Sequence, residues 1–88
     1  MKSVSSMLED TKKWKIVYRE NGITTCIYKS WGLTKLTLTY YEFNQSLTLK
    51  CHLFFWIVDI THEIDSLFLM GCFDRMLDNY YHDKDFGA

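Results

Sequence analysis

The sequence predicts one α+β domain over residues 1–88: a four-stranded antiparallel meander of two hairpins, with a short N-terminal helix and a long C-terminal helix packed on one face. Three observations carry this. Apolar residues alternate with period two from Trp14 onward, the dipeptide Asn21-Gly22 interrupts that alternation, and beyond Val58 the apolar spacing changes to three and four.

Residues 5–13 read as a short helix, with Ser6 and Glu9 in capping-box spacing and Met7-Leu8 as its apolar face. Trp14 opens the first strand. Asn21-Gly22 is the pattern of a type I′ turn, which needs positive φ at both central positions. A two-residue loop there sets Tyr18 opposite Thr25, Val17 opposite Cys26 and Ile16 opposite Ile27. Trp31-Gly32 marks a second turn and Leu33–Phe43 a third strand. A loop at Asn44-Gln45 leads to a fourth strand from Ser46 to about Val58. In that register Tyr40, Leu38 and Leu36 face Leu49, Cys51 and Leu53, so apolar residues meet on one face. Asp59 or Thr61 then caps a helix running to Tyr81, with Glu63 and Asp65 in its first turn. His82 to Ala88 reads as a frayed polar tail.

Composition narrows the class. Hydrophobic residues are 48%, aromatics 17% and charged residues 24%, which describes a globular chain. The net charge of −1 supplies no general excess of cations for a phosphate backbone, although a basic stripe on one face stays open. Cys26, Cys51 and Cys72 are odd in number and lack CxxC spacing, which points to reduced thiols and a cytoplasmic protein. The N-terminal segment lacks the apolar core of a signal peptide, and the longest apolar run, Leu53–Val58, is far short of the ~20 residues that span a bilayer. No membrane association is expected.

Catalytic and metal-binding patterns are absent from the sequence. His62-Glu63-Ile64-Asp65-Ser66 begins like a zincin motif but has Ser where the second His belongs. Cys51 and His52 are adjacent in a strand and point to opposite faces. Cys51 and Cys72 fall on core faces, and Cys26 on the less apolar face beside Tyr28. Asp74, Asp78, Asp83 and Asp85 read as a solvated helix face, and the four glycines make no phosphate loop. No enzyme activity, cofactor or metal is expected.

Two features exceed what one core requires. In the fourth strand Leu53, Phe55 and Ile57 take the core face, which leaves Phe54, Trp56 and Val58 on the other. Either the N-terminal helix covers them, or a partner does, or the C-terminal helix begins earlier, near Trp56. In that helix Ile60, Ile64, Leu67 and Phe68 share one face, and Leu69, Cys72, Phe73, Met76, Leu77 and Tyr80 a nearly opposite one. A kink at Gly71 or a second chain accounts for two stripes.

The resulting expectation is a small non-enzymatic protein-binding module that self-associates as a homodimer or holds another protein. Its anchors are Phe54, Trp56 and Val58, with Trp31 and Tyr41 as lesser ones. Size and style match small accessory or inhibitor proteins, including those that bacteriophages direct at host machinery; a phage-encoded chain would act in the host cytoplasm. The rival reading is a single-stranded RNA binder using Lys35, Tyr41, Lys50 and His52 on the outer sheet face.

Overall fold

Five strands lie side by side in sequence order, each antiparallel to the next, in a computed structural model that describes residues 3–86. They are β1 (Trp14–Glu20), β2 (Ile23–Ser30), β3 (Leu33–Tyr41), β4 (Ser46–His52) and β5 (Ile57–Asp59). Helix α1 (Val4–Glu9) and a 3-10 turn (Thr11–Lys13) precede them; a second 3-10 turn (Thr61–Glu63) and helix α2 (Ser66–Phe86) follow. The α+β class, the antiparallel sheet and the two helices are as the sequence indicates. The fifth strand is not.

The additional strand comes from the segment read as the end of strand four. The chain reverses at Phe54-Phe55, with the Leu53 amide donating to the Trp56 carbonyl at 2.8 Å. Ile57–Asp59 then pairs back onto His52, Cys51 and Lys50. Leu53, Phe55 and Ile57 are therefore exposed and not in the core.

Both expected hairpin registers shift, and each shift has a local cause. In the first, Tyr18 faces Thr25 as expected, but a bulge at Val17 sets Ile16 against Cys26 and Trp14 against Tyr28. The inserted residue exchanges the two faces along β1. Trp14 and Ile16 turn toward the helices, and Cys26 is fully buried with them. In the second, the loop is four residues, 42–45. Gln45 is its left-handed position (φ 54), and Asn44 Oδ1 accepts from the Ser46 amide and hydroxyl. Tyr40, Leu38 and Leu36 consequently face Leu47, Leu49 and Cys51. The displacement is two residues, so every side chain keeps its face.

That inner face carries the core. Cys26, Tyr28, Leu36, Leu38 and Leu49 from the sheet meet Leu69, Cys72, Phe73 and Met76 from α2 and Leu8 from α1. Phe73 stacks on Tyr40 at 5.0 Å between centroids, and Trp14 on Tyr28 at 5.7 Å. Trp14 Nε1 donates to the Met7 carbonyl at 2.8 Å, and Asn79 Nδ2 to Thr11 Oγ1 at 3.1 Å, tying the N-terminal segment to β1 and α2. Helix α1 thus docks beside α2 and leaves Phe54 and Trp56 uncovered.

The helix boundaries move for capping reasons. Ser3 caps α1 by accepting from the Ser6 amide, in place of the expected Ser6–Glu9 box. Asp65 Oδ2 accepts from the Phe68 amide, so α2 starts at Ser66. Thr61 instead accepts from the Leu49 amide at 2.8 Å. Ile60 and Ile64 therefore precede the helix and pack on the core from irregular backbone. The expected stripe of Ile60, Ile64, Leu67 and Phe68 therefore dissolves, since its first two members lie outside the helix and Leu67 is exposed, and neither a kink at Gly71 nor a second chain is needed to explain it. Helix α2 continues to Phe86, through most of the expected tail; residues 87–88 lie outside those described.

A buried Leu contributes roughly 2 kcal/mol by area alone and more once the cavity left behind is counted. Leu38→Ala is expected to cost about 2–5 kcal/mol in urea unfolding. Leu67→Ala, on the exposed side of α2, should stay within about 0.5 kcal/mol.

Candidate functional site

A meander with alternating strand directions sends its turns to alternate ends of the sheet. The Asn21-Gly22 turn and the 42–45 loop emerge at one end. Trp31-Gly32 and Phe54-Phe55 emerge together at the other, flanking the β3–β4 pair. Strand spacing of ~4.8 Å places these two tips about 10 Å apart.

This end is apolar and uncovered. Trp31 is 96% exposed, Phe54 92%, Phe55 79% and Trp56 65%, with Leu33 and Leu53 beside them. Phe54 and Phe55 meet edge to face at 4.6 Å, and Phe55 lies 6.3 Å from Trp56. The rings hold one another in place without being drawn into the core.

Trp31 occupies a costly position. Its φ of +57, with +76 at Gly32, makes a type I′ turn. A bulky side chain at positive φ is strained by roughly 1–3 kcal/mol, and Asn is the favoured residue there. The turn sets the indole out at the tip, where no packing offsets the strain.

Of the five anchors read from sequence, Phe54, Trp56 and Trp31 come together at this end. Val58 lies within β5 opposite Cys51, at 38% exposure, so it stands on a paired strand and not at the tip with Phe54 and Trp56. Tyr41 stands at the opposite end, opposite Ser46 and Ile23, with its ring against Phe43 at 6.3 Å. Sequence reasoning missed Phe55 and Leu33 by assigning one to the core and leaving the other as strand filler.

The proposed nucleic-acid set is dispersed as well. Tyr41 is six residues from Lys35 along β3, about 20 Å. Lys35 is the extra residue in the pairing of β2 with β3, where Tyr28 faces Leu36 and Lys29 faces Thr34. Lys50 lies between Thr37 and Asp59, and His52 Nε2 shares a hydrogen bond of 2.6 Å with Thr37 Oγ1. The Thr61 hydroxyl and amide hold the Asp59 carboxyl below its usual range, with smaller help from the charges of His62 and Lys50.

Elsewhere, Arg19 lies over the Tyr81 ring at 4.8 Å and the Tyr80 ring at 5.8 Å. Burial pushes the Cys26 thiol up to about 12, with Arg19 opposing weakly, and also raises Cys72. No cluster of three or more His, Cys, Asp or Glu able to hold a metal occurs among the described residues, and none of their helices is long and apolar enough to cross a membrane. Comparison with known proteins found no matching family model, no matching curated protein and no matching solved structure.

Two outcomes follow. Trp31→Asn should stabilise the fold by about 1 kcal/mol in urea unfolding, since it relieves strain and removes no packing. The unfolded thiol of Cys26 titrates near 9 and the folded one near 12, so the unfolded chain releases its proton first as pH rises. Stability should fall between pH 9 and 12, and Cys26→Ala should flatten that part of the thermal-denaturation profile.

Proposed function

We propose that the chain is a non-enzymatic protein-binding module that associates with a second copy of itself through the aromatic end of the sheet. The observation that carries this is the convergence of Trp31, Leu33, Phe54, Phe55 and Trp56 on two neighbouring hairpin tips, all exposed. Aromatic side chains dominate the energetics of protein interfaces, and a monomer gains nothing by placing so many outside its core. The strained backbone of Trp31 supports the same reading, because relieving it would take only a substitution. An accessory or inhibitory role, of the kind small phage-encoded proteins fill, suits a module of this size.

Light scattering on a gel-filtration column tests it. The native chain should show a mass above the monomer that falls on dilution. Phe54→Ser combined with Trp56→Ser should give a monomer whose midpoint of unfolding at low concentration is close to that of the native chain. A native chain that is monomeric at every concentration, or a double variant that fails to fold, contradicts the proposal.

A further inference from the structure

Lys12, Lys13, Lys15 and Lys29 gather at one corner of the sheet, where the first 3-10 turn, the start of β1 and the end of β2 meet. With Ile27 and Trp31 they line an open groove of about 550 Å³. The register produces the gathering: Lys15 faces Ile27 and Trp14 faces Tyr28, so the next residues outward are Lys13 and Lys29. Asp10 offers Lys13 an ion pair at 3.7 Å; Lys12, Lys15 and Lys29 have none among the described residues.

Like charges brought together across a sheet repel, and folding alone does not offset that. Beyond Asp10, other described acidic residues stand away from this corner. Glu20 and Glu42 stand at the opposite end of the sheet, and Asp74 and Asp78 on α2. A chain of near-neutral net charge thus has one cationic corner, which concentrates anions locally whatever the total.

The groove also has an aromatic wall. The Trp31 indole stands in solvent at its rim, fixed there by the turn. Ammonium groups alone suit any anion, whereas ammonium groups beside a free aromatic face suit phosphates carrying a flat base. We infer that this groove binds single-stranded nucleic acid, with phosphates on Lys12, Lys13, Lys15 and Lys29 and a base stacked on Trp31. A continuation exists on the outer sheet face, where Lys15, Ile27, Thr37 and Lys50 lie in register across four strands. The strand leaves the groove along that row. The groove shares Trp31 with the aromatic end but none of Phe54, Phe55 and Trp56, so loss of self-association leaves its lysines and its indole in place.

The probe is a fluorescein-labelled oligouridine, read by anisotropy. Four phosphate contacts predict a slope of about −3 for log affinity against log salt. Trp31→Ala should weaken binding roughly tenfold, the loss of one stacked base. Lys29→Glu should weaken it by at least that much, while Arg75→Glu, the same charge change on exposed α2 surface, should leave it unaltered. Phe54→Ser with Trp56→Ser should retain the native affinity, which separates this inference from the preceding one. Displacement by UTP at equal phosphate concentration would assign the same base-and-phosphate chemistry to free nucleotides, and weak displacement assigns it to a strand. No binding at low salt, or equal losses in Lys29→Glu and Arg75→Glu, overturns the inference. So does polyglutamate binding as tightly as oligouridine with Trp31→Ala silent.

Discussion

The docking of α2 onto one face of the sheet is the constraint from which the other features follow. Leu69, Cys72, Phe73 and Met76 meet Cys26, Tyr28, Leu36, Leu38 and Leu49, and Leu8 completes the layer. An 88-residue chain builds one such layer and no second. The opposite face of the sheet and both of its ends are left to water or to partners. Even α1 is used on the core side, tied to β1 by the bond from Trp14 to Met7.

A two-layer fold of this kind sorts its surface by geometry. Turns alternate between the two ends of a meander, so a residue's place in a loop decides which neighbours it acquires. Trp31 and Phe54-Phe55 are 23 residues apart in sequence and emerge at the same end of the sheet because the strands before them, β2 and β4, run in the same direction. The same alternation sends Tyr41 and Phe43 to the other end. The bulge at Val17 acts in a similar way: one extra residue puts Trp14 and Ile16 on the core face, the same side as Arg19. It also sets Lys15 on the outer face, where the cationic corner forms.

How much of this was legible in the sequence depended on what each signal encodes. Asn21-Gly22 encodes a conformation, and the turn is where it says. Alternation encodes a face but not a register, so the four-residue loop at 42–45 displaced the pairing by two while Leu36, Leu38 and Tyr40 stayed inward. The turn at Phe54-Phe55 carries no glycine and no positive φ, and its two rings read as strand residues; β5 was invisible for that reason. Helix α2 was placed too early because Thr61 and Asp59 resemble caps, whereas Thr61 is engaged with the backbone of β4 and Asp65 does the capping. At the candidate site, Phe54, Trp56 and Trp31 were identifiable as surplus aromatics. Their convergence was not, since it depends on β5, and the lysine corner depends on the bulge.

The central claim is that the fold places Trp31 and Trp56 outside its core while Trp14 is inside. Acrylamide quenching of three single-tryptophan variants, each retaining one indole with the others replaced by Phe, measures this directly at concentrations where the chain is monomeric. Trp31 and Trp56 should quench nearly as readily as free tryptophan, and Trp14 should be protected until the chain unfolds. A Trp56 as protected as Trp14 in the monomer would mean that the second tip folds into the core, and the account of the aromatic end would fail.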